Sequence, residues 1–328
     1  MKRATQTMTK KIKKSRKKLW RISPVWFINV VLAFIIAITL YLTLSIETKK
    51  TLHIPKGSIS NIIAQLNKEG YDIGIIDTIA LRFIGTPKSG WVDIGETKMS
   101  RIDFLYKLTS AKTMIHKVTL IPGKTNYVFF EKLATQLELN STILQEQYDA
   151  LSLYPEAGIY ADTYHVPYGI KEKNLISFLL RTSQTKYKNL SHTAYGDYNQ
   201  SKWLRTLTIA SIIQKEAANN KEMPLVASVI YNRLEKNMRL QMDGTLNYGK
   251  YAHVKVTPQR IKDDNSTFNT YKHKGLPPSP IGAVSSHAID AAISPAKTNY
   301  LYFMRNKDGV HDFTDTFKKH RKNIKKVK

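Results

Sequence analysis

Two acidic residues stand apart by their surroundings. Glu216 closes the run Leu204-Arg-Thr-Leu-Thr-Ile-Ala-Ser-Ile-Ile-Gln-Lys-Glu216, in which Leu204, Leu207, Ala210, Ile212 and Ile213 recur at helical spacing and predict a mostly buried helix reaching about Asn219. A carboxyl group at the end of so apolar a helix is placed to keep its proton near neutral pH, the state that a general acid needs. The competing reading is a solvated glutamate at a frayed helix end beside Lys215. Asp243, in Arg239-Leu-Gln-Met-Asp243 and ahead of Gly244, is either a ligand-binding or orienting carboxylate or an ordinary turn residue. Gln241, Asn269, Thr270 and Tyr271 carry amide, hydroxyl and aromatic groups of the kinds that bind sugars, or that simply tie loops together. No metal or phosphate motif competes with these residues, and no cofactor is expected. The chain has no cysteine, which excludes disulfides, thiol catalysis and thiolate metal sites.

These groups need a scaffold. After Leu204–Glu216, residues 223–237 predict a second helix with Val226, Val229, Ile230 and Leu234 inward. Upstream, helical periodicity covers about 127–138, 141–151 and 172–189, and the aromatic stretch 155–169 reads as a loop. Lys117-Val-Thr-Leu-Ile-Pro-Gly123 reads as a strand closed by a Pro-Gly turn, a natural domain boundary. Before it, Leu52–Ile54 and Gly90–Gly95 read as strands, and amphipathic helices are predicted after Ser58, over 75–83 with Ile75, Ile76, Ile79, Leu81 and Phe83, and after Ser100. Strand, helix, helix and strand within so few residues make a small α+β module over about 51–117. That module is either a spacer or a binder of polysaccharide. A larger α+β domain extends over about 118–320.

The run Val25–Ile46 is 22 residues without a charge, long enough as a helix to span a hydrocarbon core of about 30 Å. Trp26 and Tyr41 lie near its ends, where amphipathic rings favour the interface. Residues 1–21 hold ten Lys/Arg and no acid, and the first carboxylate is Glu47. A basic tail over 1–24 therefore stays in the cytoplasm, and the rest of the chain lies beyond the membrane. A cleaved signal peptide is the alternative, but its apolar region would be shorter and end in small residues. The net charge of +26 resembles that of a nucleic-acid binder until it is divided. Ten charges sit in residues 1–21 and seven in 318–328, which leaves +9 for residues 22–317 and no nucleic-acid reading motif. Residues 321–328 read as a basic tail.

Six motifs follow in order: Leu207-Thr-Ile-Ala-Ser-Ile-Ile-Gln-Lys-Glu216, Val226-Ala-Ser-Val-Ile-Tyr-Asn-Arg-Leu234, Met238-Arg-Leu-Gln-Met-Asp243 with Tyr248-Gly249, Phe268-Asn-Thr-Tyr271 with Gly275-Leu-Pro-Pro278, Ser294–Phe303, and His311-Asp-Phe-Thr. Together they resemble the MltG-type (YceG-like) endolytic murein transglycosylases. The resemblance implies a LysM-like label for the small module and a catalytic role for the larger domain. It implies that Glu216 protonates the bond between N-acetylmuramic acid and N-acetylglucosamine and then acts as base on the sugar's own 6-hydroxyl, leaving a 1,6-anhydro end. It further implies peptidoglycan glycan strands as substrate, cut as they emerge at the cytoplasmic (inner) membrane, with peptidoglycan synthases as neighbours. Departures from the family pattern are Gln214, where Glu is frequent, Met242-Asp-Gly244, where Thr-Asp-Pro is common, Ala161 in place of Pro, and Val284. None removes the acid. A noncatalytic wall-binding scaffold and a water-using hydrolase are the rival readings.

Overall fold

The computed structural model describes residues 24–327, so the basic segment expected over 1–24 lies outside the described residues except for Pro24. The chain divides into two compact units, Met1–Thr113 and Met114–Lys328.

The first unit runs α1 (Pro24–Thr43), β1 (Ser45–Glu47), β2 (Thr51–Ile54), α2 (Ile59–Lys68), α3 (Ile75–Ile84), β3 (Gly90–Asp93), β4 (Lys98–Ser100) and α4 (Arg101–Ser110). Among the described residues α1 is the one helix long and apolar enough to cross a membrane, and none of its side chains is buried. It stops short of the expected Ile46. Residues 45–47 instead pair antiparallel with β4, and Ile46 is buried in the core of this unit. One apolar run thus serves two environments, and hydropathy alone cannot separate them.

β2 and β3 pair antiparallel across the two helices between them. Ser58 and Ser100 cap α2 and α4 by accepting from Asn61 N and Asp103 N, which satisfies amides left free by the first helical turn. The module ends at Thr113 and not at 117, because residues 115–117 belong to the first strand of the second unit.

A buried ionic cluster ties this unit together. Asp77, fully buried, accepts hydrogen bonds from Tyr41 Oη (2.7 Å), Gly74 N (2.8 Å) and Arg101 Nη1 (3.2 Å). Arg101 also donates to the exposed carboxylate of Asp72 at 2.7 Å and lies over the Tyr41 ring at 4.3 Å. Breaking such a cluster from one side leaves a buried charge short of its partners. Asp77→Ala is therefore expected to destabilise this unit by about 3 kcal/mol, the low end for a broken buried pair because Asp72 remains. Hydrogen exchange across residues 45–113 of the full chain checks this, with the second unit as an internal reference.

The second unit runs β5 (Ile115–Thr119), α5 (Asn126–Leu137), α6 (Ser141–Leu151), β6 (Thr163–Pro167), α7 (Glu172–Tyr195), α8 (Gln200–Glu216), α9 (Met223–Glu235), α10 (Pro258–Asp263), α11 (Ser286–Ile293), β7 (Tyr302–Arg305), β8 (His311–Thr314) and α12 (Phe317–Val327). Short 3-10 turns lie at Asp243–Leu246 and Gly249–Tyr251. The strands form two antiparallel pairs, β5 with β6 and β7 with β8. β6 lies inside the stretch that reads as a loop. Tyr164 and Val166 alternate inward along it, a period-two signal short enough to be hidden among turn residues.

One core gathers β5, β6, α5, α6 and α7; another surrounds α8, with α9 and α11 packed on it. α8 starts earlier than its apolar pattern predicts, because Asn199 caps it by accepting from Lys202 N. It ends at Glu216, where Ala217 turns extended. Residues 321–327 are not a tail: they continue α12, whose Phe317 and His320 rings lie 5.8 and 5.3 Å from that of Tyr302.

Candidate active site

α8 is buried at Trp203 and without a break from Thr206 to Ile213, so its last residue is fixed where the helix emerges from the core. That residue is Glu216. Its Oε1 accepts a 2.6 Å hydrogen bond from the backbone N–H of Gly244, at the start of the 3-10 turn after Asp243. Burial, and secondarily the neighbouring Asp243, push the Glu216 pKa up to about 7 against the opposing pull of the Gly244 amide, Lys215 and Arg233. The Glu216 carboxyl thus has the proton affinity that a general acid needs at neutral pH.

Gly244 permits this contact because it has no side chain. A Cβ there would lie 2.8 Å from Lys215 Cβ and 2.9 Å from Glu216 Oε1. The turn itself is held from below: Thr270 Oγ1 accepts from Met242 N at 3.1 Å and pairs with Thr245 Oγ1 at 2.9 Å. Arg233 of α9 is buried and donates to the carbonyls of Leu240, Arg239 and Leu301, which joins the segment leading into Asp243 to the residue before β7.

Glu216 and Asp243 are common to two adjacent cavities. One, of about 370 Å³, is walled by Gly123, Lys124, Asn247 and His253; the other, of about 210 Å³, by Gln241, Tyr271, Phe303 and His311. Tyr271 Oη donates to Asp243 Oδ1 at 2.6 Å, so these two residues form one polar unit on the second wall. The Gly123–Lys124 wall is fixed by paired backbone bonds with Ala283, at 2.7 and 2.8 Å.

The structure therefore brings Gln241, Asp243 and Tyr271 to the same cavity as Glu216. Asn269 and Thr270 go elsewhere. Asn269 is fully buried, its amide donates to the carbonyls of Ile261 and Asp264, and its Oδ1 accepts from Tyr271 N. Both residues support the loop and do not line the cleft. Gln214 accepts from Ser285 N and Oγ at the start of α11, and so couples α8 to that helix.

Several neighbours of Glu216 carry no sequence signal of their own. Lys215 is drawn inward to donate to the Asn247 carbonyl, and burial lowers its pKa. Glu156, buried behind it, accepts from Asn126 N at the start of α5, and burial raises its pKa. Glu222 accepts from His311 through both its backbone and its ring, at 2.8 and 2.7 Å, which holds the Glu222 pKa down and ties β8 to the start of α9. Among the described residues no cluster of His, Cys, Asp and Glu could hold a metal ion.

A carboxyl group that closes a largely buried helix and lines two polar cavities is placed to exchange a proton with a molecule bound there. The YceG-like family profile matches residues 52–326, and the chain belongs to that family. The endolytic murein transglycosylase of Bacillus subtilis (strain 168) is 41% identical over 118 residues, which are 36% of this chain and 33% of that protein. The endolytic murein transglycosylase of Streptococcus pneumoniae serotype 2 (strain D39 / NCTC 7466) is 36% identical over 146 residues, 42% of this chain and 26% of that protein. The matches thus span a third or less of the curated relatives' length. A crystal structure of a YceG-like protein from Listeria monocytogenes is similar over 84% of this chain and 99% of its own, with a TM-score of 0.57 and 26% identity.

Proposed function

We propose that this chain is a membrane-anchored endolytic murein transglycosylase with Glu216 as its general acid and base. The observation that carries the reading is the Glu216 carboxyl, half-buried, hydrogen-bonded to Gly244 N and shared by two cavities. A polymer lying across both cavities would present an internal linkage to the acid, as endolytic cleavage requires. In the first half of the reaction Glu216 gives its proton to the glycosidic oxygen, and the C1–O bond breaks. In the second the 6-hydroxyl of the same sugar attacks C1, and its proton returns to Glu216. No water is consumed. A hydroxyl already tethered to the reacting ring has a high effective concentration, so a second carboxylate to position water is unnecessary. Gln241, Asp243 and Tyr271 contact the glycan, and Tyr271 fixes the Asp243 carboxylate.

The basic N-terminal segment and α1 support a single pass with the N-terminus inside and both units on the outer face of the cytoplasmic membrane. The order β2, α2, α3, β3, with its strands paired, supports a LysM-like role for the module.

Mass spectrometry of the cleavage products tests the reaction. Transglycosylation gives fragments whose masses sum to that of the intact strand. Products heavier by one water overturn it in favour of a hydrolase.

The raised Glu216 pKa sets the pH dependence. The first step needs the protonated form, so kcat/KM is expected to fall as pH rises above about 7, approaching tenfold per pH unit. Stability has the same sign: the folded state binds the proton more tightly than the unfolded chain, so this group's contribution is complete below 4.5 and is lost as pH rises to about 7. A rate profile of the wild-type protein against pH checks the first statement.

A further inference from the structure

α3 is apolar on the wrong side for a core helix. At about 100° per residue, Ile75, Ile76, Ile79 and Phe83 fall on one face, roughly opposite the buried Asp77 and Leu81. They are 80%, 41%, 50% and 88% exposed. Between this face and α2 lies a cavity of about 750 Å³, floored by Ile63, Ile73 and Ile79 and rimmed by Lys68 and Arg82. A contiguous apolar patch of this kind marks an interaction surface.

The fold fixes where that surface lies. Tyr41, two residues or about 3 Å before the end of α1, donates to Asp77 in the first turn of α3. If α1 spans the bilayer, the start of α3 is therefore level with the point where α1 leaves it. A helix that starts at that depth with a bulky apolar face and flanking cations has the composition of an interfacial helix, and Lys68 and Arg82 suit the phosphates of anionic lipid.

We propose that the outward face of α3, with the α2–α3 groove, docks on the outer leaflet of the membrane that α1 crosses. This rests on the reading of α1 as a membrane span. The contact gives the first unit a second point of attachment beside the helix, and so a fixed orientation to the bilayer.

The test uses the natural absence of cysteine. Full-length protein carrying a single Phe83→Cys, Ile36→Cys or Lys173→Cys substitution is labelled with an environment-sensitive fluorophore and reconstituted in phosphatidylglycerol–phosphatidylethanolamine vesicles. Label at 83 is expected to be quenched at least twofold by lipids bearing a shallow nitroxide and shielded from aqueous iodide. Label at 36 is expected to respond to deep nitroxide, and label at 173 to iodide alone. Adding Lys68→Glu and Arg82→Glu is expected to restore iodide access at 83. If 83 stays open to iodide while 36 is quenched, lipid docking is wrong and α1 stands. Energy transfer between 83-labelled copies in that case assigns the face to a second copy of this chain. If 36 is also open to iodide, the membrane reading of α1 fails and this proposal with it.

Discussion

Glu216→Gln is expected to lower the rate of glycan cleavage by about 10³- to 10⁴-fold, because in the proposed reaction one carboxyl serves as acid and then as base, and each proton transfer is worth about 10²-fold or more. Glutamine keeps the volume and still offers an oxygen to the Gly244 amide, so the turn at 243–246 stays in place. It carries no proton to give. Removing an ionisable group with a raised pKa also removes the loss of stability between pH 4.5 and 7, so the variant is expected to melt no lower than wild type at pH 8. The measurement is release of soluble fragments from purified glycan strands, with thermal unfolding in parallel. Equal cleavage by both proteins would overturn the assignment of Glu216. Equal binding with no cleavage by either would mark the chain as a wall-binding scaffold.

Gly244→Ala is expected to reduce kcat by about 10²-fold with little change in KM. The new methyl would sit 2.8 Å from Lys215 Cβ, an atom close to the α8 backbone that cannot swing aside, and 2.9 Å from Glu216 Oε1. The turn has to move away from α8, and the hydrogen bond to Glu216 lengthens. A displacement near 1 Å at a reacting group costs about that factor. The pH profile separates this effect from general damage. The Gly244 amide lowers the Glu216 pKa, so weakening it raises that pKa and moves the falling limb to higher pH. Loss of activity with an unmoved limb would show that Gly244 acts on the fold alone.

The helices are legible where their apolar spacing and their caps agree, as at Ser58 and Ser100. Short strands are not. β1 and β4 have three residues each, too few for a period to register, and β6 is hidden among tyrosines and turn residues. α3 illustrates a second limit: its periodicity identifies a helix, but Ile75, Ile79 and Phe83 do not reveal that they face outward. In the site, Glu216 is legible from its apolar helix and neighbouring motifs. Residue type does not distinguish Tyr271, which reaches the cleft, from Asn269 and Thr270, which are consumed beneath it. The donor that holds Glu216 is a backbone amide, to which no letter of the sequence corresponds. Lys215 and Arg233 read as surface charges until the fold draws them inward.

Only Leu44 separates the end of α1 from β1, and its carbonyl is already taken by Arg101 N. The junction therefore has no slack. Strand side chains alternate, so the count of residues between Thr43 and Ile46 decides whether Ile46 faces the core. Parity matters there more than length. A rotation of α1 about its own axis is delivered to the module as torque, with no tether to absorb it.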